Sequence, residues 1–184
     1  MNWLDLLPIV LIVGYGVGGF FSGVVRRAIG LVVLYLAFLG ATNMGLQAGG
    51  ILQQSSNLET PDARIFGFFG IVVAVLVIVE GATQLAHSQI QIPALVLNRT
   101  LGVIIGVLTA VFLSVLAVYE LEAAANPFGG AQLDQTQQRI RDTVNESRFA
   151  VTAVNKIDKP VISLFQPVLP GDPQIYFGPG PVNP

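Results

Sequence analysis

The sequence predicts an all-α integral membrane protein with four transmembrane helices, a C-terminal amphipathic helix and a disordered tail. Three observations predict it. The chain is 53% hydrophobic and only 11% charged, against about 25% charged in soluble domains, which leaves little polar surface to cover a soluble core. No formal charge occurs from Ala28 to Leu58. Twenty uncharged residues separate Arg99 from Glu120. At about 1.5 Å per helical residue they cover roughly 30 Å, the hydrocarbon thickness of a bilayer.

The membrane domain is expected over residues 1–122, with spans at about 4–24, 28–46, 65–86 and 100–120. The first span opens at Met-Asn-Trp-Leu-Asp and is uncharged from Leu6 to Val25. It lacks the leading basic residues of a signal peptide and ends in Arg26-Arg27, so it reads as an uncleaved span with Trp3 at the interface. A tight turn flanked by Gly23 and Gly30 joins it to the second span. Residues 45–64 are polar and read as the first real loop, with Thr60-Pro61-Asp62 resembling a helix start. The third span, Ile65 to Ala86, contains Glu80. Residues 88–98 are half apolar and read as an interfacial segment before the fourth span, whose ends, Arg99 and Glu120, are expected to re-enter water.

Residues 123–130, with Asn126-Pro127 and Gly129-Gly130, carry the composition of a linker. The segment 131–169 is amphipathic and interfacial. Leu133, Ile140, Val144, Val151 and Val154 fall at helix spacing among polar residues, predicting one helix from about Leu133 to Lys156. Val161 to Leu169 is apolar but too short to cross a bilayer. The Pro- and Gly-rich stretch 170–184 is expected to be disordered.

The candidate sites are packing surfaces and charges. Gly14 with Gly18, and Gly19 with Gly23, are i,i+4 pairs, and Gly102, Gly106, Ala110 and Ser114 recur every fourth residue. Small residues at that spacing let two helices approach closely. A carboxylate inside a span is expensive and points by default to function. Glu80 lies towards the same membrane side as Arg26, Arg27 and Arg99, however, so a structural ion pair with one of them is the blander expectation. Two enzyme-like patterns fail. Gly14-Tyr-Gly16-Val-Gly-Gly19 fits a dinucleotide-binding turn, but no acid follows before Glu59 to hold a ribose hydroxyl. Ser22 with His87 lacks an oxyanion hole and a group to orient the histidine. With no cysteine and one histidine, the sequence offers no catalytic, cofactor or metal site. A net charge of −2 implies no affinity for nucleic acid.

Three patterns together resemble the CvpA family, the colicin V production proteins of bacterial inner membranes. Asn2-Trp3-Leu4-Asp5 opens a span ending Gly19-Phe-Phe-Ser-Gly23-Val-Val-Arg26. Arg99-Thr-Leu-Gly102-Val-Ile-Ile-Gly106 opens the last span. A polar tail with Ser147 precedes an apolar segment ending at Leu169-Pro170. The chain departs from the family at Phe21 and Ser22, where basic residues are common, at Asn98, where an acid is common, and at Thr109-Ala110, where some members carry Arg-Gly. The resemblance implies a non-enzymatic multi-pass protein of the inner (plasma) membrane that assists colicin V production or export, or envelope homeostasis. Its partners would be the lipid bilayer, other membrane or envelope proteins, and a homo-oligomeric copy. The alternative is a small oligomeric transporter or channel with Glu80 as coupling carboxylate. With four spans, the arginine-bearing turns fall opposite the termini, so the positive-inside rule puts both termini in the periplasm.

Overall fold

The computed structural model describes residues 2–86, 95–128 and 132–178, all helix or connecting turn. Three long helices form the body: α1 (Trp3–Ser56), α2 (Thr60–Ala86) and α3 (Leu95–Ala125). Each is long and apolar enough to cross a membrane. Four short helices follow: α4 (Gln135–Glu146), α5 (Arg148–Lys156), α6 (Asp158–Phe165) and α7 (Pro173–Tyr176). A 3₁₀ turn at Gln166–Val168 lies between α6 and α7.

Helix α1 is too long for one crossing, and it breaks at Gly23, whose φ of 75° and ψ of 179° are non-helical. A side chain at that φ would be strained, which selects glycine. The chain reverses there. Leu4, near the start of α1, shares a buried cluster with Val118 and Leu121 of α3. Ala41, far along the second arm, shares one with Ala123 and Ala124 of the same helix end. Both arms therefore return to one end of the bundle. The tight turn expected at residues 25–27 is centred instead on Gly23, and Arg26-Arg27 already lie in the helix.

The second arm does not stop near residue 46. It continues to Ser56, and only residues 57–59 separate it from α2. The polar stretch expected as a loop is thus mostly helix, and α2 begins at Thr60 rather than Ile65. The reason is a second close-packed seam. A Cβ on Gly49 would stand 2.7 Å from the Ala63 carbonyl oxygen, and one on Gly45 would stand 3.1 Å from the Phe68 Cα. Backbones in contact hold the two helices together beyond the apolar stretch.

Helices α4–α7 form a cap on that end. The amphipathic segment is two helices rather than one, divided at Ser147. There the Ser147 N–H closes α4 on the Val144 carbonyl at 3.2 Å, and its Oγ accepts from Ala150 N–H at 3.1 Å to start α5. Residues 123–125 are not linker; they are buried in the last turn of α3. Residues 170–178 are not disordered. Asp172 caps α7, and Tyr176 and Phe177 lie edge-on to Phe68 at 5.7 and 5.5 Å. Each such pair adds about 0.5–1.5 kcal/mol beyond area burial. The Tyr176 hydroxyl donates to the Ala41 carbonyl at 3.0 Å, and burial pushes this phenol up to about 12. Composition favoured disorder, but these few aromatic anchors outweigh it. Residues 179–184 lie outside the described residues.

The N-terminus is tied to the cap. Asn2 caps α1, its side chain accepting from the Leu4 and Asp5 N–H groups at 3.0 and 3.3 Å, and its Nδ2 donates to the Thr143 carbonyl at 2.7 Å. Asp5 Oδ1 accepts from the Ser147 hydroxyl at 2.8 Å and from Phe149 N–H at 3.1 Å. Asn2→Ala should therefore cost about 1–2 kcal/mol and expose residues 132–178 to faster limited proteolysis. An unchanged melting temperature and digestion pattern would mean the cap is held without this tie.

Candidate functional site at the glycine–arginine turn

Gly19, Gly23, Arg26, Glu80, Arg99 and Gly102 gather near the Gly23 break, with Gly106 and Ala110 continuing along α3. On one side, the first arm of α1 lies antiparallel against α3 with backbones touching. A Cβ on Gly19 would collide with the Gly102 carbonyl oxygen, one on Gly102 with that of Gly19, and one on Gly106 with that of Tyr15. A Cβ on Gly23 would stand 2.6 Å from both terminal atoms of the Asn98 side chain. Ala110 and Ser114 continue the strip, fully buried, with the Ser114 hydroxyl turned back to the Ala110 carbonyl at 2.7 Å. In lipid, where apolar contact between helices gains nothing over contact with acyl chains, such close packing is what holds helices together.

Asn98 completes the turn. Its Oδ1 accepts from Val24 N–H at 2.8 Å, satisfying a donor at the start of the second arm that has no helical partner. An acid there would serve as acceptor equally well, so asparagine preserves that function.

The charges sit on the other side. Arg27 Nη1 lies 3.7 Å from Glu80 Oε1, with side chains 11% and 33% exposed, and its guanidinium stacks over Tyr15 at 5.1 Å. Arg26 Nη2 donates to the Glu80 carbonyl at 3.2 Å. Arg99 stacks over Phe20 at 5.0 Å. Of the three arginines the sequence left open, the side-chain ion pair falls to Arg27. Glu80 therefore lies at the end of the bundle beside the turn, roughly level with Gly30, whose Cβ position is 3.8 Å from its Oε1. Residues 87–94, including His87 and most of the expected interfacial segment, lie outside the described residues.

Two glycines separate from the rest. A Cβ on Gly14 would meet nothing within 4 Å, and Gly18 faces the Arg27 guanidinium instead of a helix. Glu120 also departs from expectation. It does not re-enter water: it is 0% exposed, and among the described residues neither carboxylate oxygen has a hydrogen-bond partner. Sequence reasoning missed the role of Asn98 and the Gly45–Gly49–Gly67 seam. The seam had a signal in its four-residue glycine spacing, masked by surrounding glutamine and serine. Glu120 had none, because its burial depends on a cap distant in sequence.

Among the described residues, no group of three or more His, Cys, Asp or Glu side chains could hold a metal ion. A family model described as "Colicin V production protein" matches residues 4–157. No curated protein and no solved structure matches the chain.

The two kinds of glycine predict opposite outcomes. Gly102→Ala should force the helices apart and destabilise by about 1–3 kcal/mol, as overpacking does. Gly14→Ala should be neutral or stabilise by up to about 1 kcal/mol through helix propensity. Thermal unfolding in detergent checks both, and equal melting temperatures for the two variants would contradict the contact at Gly102.

Proposed function

Because the chain belongs to the colicin V production protein family, we propose that it is a non-enzymatic scaffold of the bacterial inner (plasma) membrane. It would cross the bilayer four times and assist toxin production, export or envelope homeostasis by presenting its helices and cap to other membrane or envelope proteins. The observation that carries this reading is the closed seam between the first arm of α1 and α3. Where α1 meets α3, carbonyl and Cα atoms touch at Gly19, Gly102 and Gly106, which leaves no passage along that seam. Glu80 supports it too. A coupling carboxylate is expected to exchange its partner for substrate near mid-membrane, whereas Glu80 is held by Arg27 at one end.

Charge supports an orientation. The turn end carries Arg26, Arg27 and Arg99 against Glu80. On the opposite side only Arg64 lies beside a span end, and the other five basic residues follow α3 on the cap. Counted over Lys and Arg near span ends, the positive-inside rule supports a cytoplasmic turn with the cap and both termini outside. The two arms of α1 supply the first two crossings, each at least about 30 Å long.

Deletion of the gene in its host, scored by envelope-stress sensitivity, tests the role. Wild type and Glu80→Gln should restore resistance, while Gly102→Leu should not. Failure of Glu80→Gln at normal membrane abundance would favour the transport reading instead. The chain has no cysteine, so Gln135→Cys provides a single label. A membrane-impermeant thiol reagent should label it on intact cells. Labelling only after permeabilisation would put the cap in the cytoplasm and reverse the orientation.

A further inference from the structure

We propose that Glu120 is a proton-operated latch: the α4–α7 cap seats on the bundle while the Glu120 carboxyl carries a proton, and lifts when that proton passes to water outside. The Leu116–Glu120–Ala124 face of α3 lies in the interior where bundle and cap meet. Leu116 and Ala124 share one cluster with Val161, Phe165, Val168 and Tyr176, and Gln137 of α4 donates to the Ala124 carbonyl at 2.9 Å. Inside that interior Glu120 is fully buried, and among the described residues both its oxygens are without a hydrogen-bond partner.

A charged carboxylate in such a place needs a cation or several donors to offset its lost hydration. None is supplied. Tyr119 on the same helix and Tyr176 from α7 are near enough to interact with it, but the Tyr176 hydroxyl is directed to Ala41. Arg64 from α2 is turned to the carbonyls of Tyr176 and Gly178. From α4 comes the neutral Gln137, with Arg141 in an outer cleft beside Glu122, and Asp158 of α6 also faces Glu122. The facing stretch of α1, from Ala41 to Gly45, is uncharged. The closed interior therefore accommodates Glu120 as the neutral acid and not as the anion, so closure and ionisation exclude each other.

Linkage gives the sign. Closure is favoured at low pH, where the proton is bound, and opening grows as pH rises through the range in which Glu120 ionises. Only the cap is required to move, since the glycine seams lie outside the cap. The latch stands independently of the scaffolding role.

The test uses full-length protein in nanodiscs carrying Val168→Cys, a position 3% exposed in the closed cap, with exposed Gln135→Cys as reference. The labelling rate by a membrane-impermeant maleimide at Val168→Cys, relative to the reference, should rise with pH by up to about tenfold per unit, the slope for one coupled proton. Adding Glu120→Gln should hold the ratio low and flat, and Glu120→Met, similar in size and uncharged, should do the same if the glutamine variant fails to insert. A flat ratio with Glu120 present, or an equal rise in the uncharged variants, would overturn the latch.

Discussion

The contact between the first arm of α1 and α3 sets the rest of the structure. It needs a chain reversal at Gly23, because only a reversed chain brings Leu4 and Ala41 to the same end of α3. It also needs bare backbone at Gly19, Gly102 and Gly106, because any side chain there would collide with a facing carbonyl. Once both conditions hold, the other features follow. Asn98 meets the freed N–H of Val24. Arg26 and Arg27 emerge beside the end of α2 and find Glu80. The second arm then runs antiparallel to α2, with its own glycine seam.

The two ends of the bundle are built on different physics. The turn end is held by backbone proximity and a few polar contacts, as suits a lipid environment without a hydrophobic drive between helices. The cap end is held by aromatic edge contacts around Phe68 and by hydrogen bonds that bridge distant parts of the sequence. Thr42 Oγ1 donates to the Val168 carbonyl at 2.6 Å, Asp62 accepts from Thr136 at 3.0 Å, and the Ala124 carbonyl accepts from Gln137 at 2.9 Å, so each long helix has at least one such link to the cap. Glu120 sits where these two regimes meet, buried in an interior that offers its carboxylate no donor among the described residues.

Much of this was legible in the residues. Hydrophobicity and charge spacing located the apolar stretches, and four-residue glycine spacing located the strip that meets α1. What was missed depended on partners far away in sequence. The helix through residues 47–56 reads as loop by composition, because the seam that holds it involves Ala63 and Gly67 on another helix. The order of residues 170–178 rests on Phe68 and Ala41, more than a hundred positions earlier. The spacing that flagged Gly14 was real, yet Gly14 faces no neighbour, because spacing alone does not say which side of a helix a partner takes.

The most direct test of the reversed chain is a distance between spin labels at Leu6 and Ile51, both exposed on α1, measured by pulsed electron resonance on the full-length protein in nanodiscs. A continuous helix would separate these positions by about 68 Å at 1.5 Å per residue. The reversal at Gly23 predicts a narrow distribution at about half that distance or less. A distribution centred near the long value would show that α1 does not fold back, and the glycine contact with α3 would fall with it.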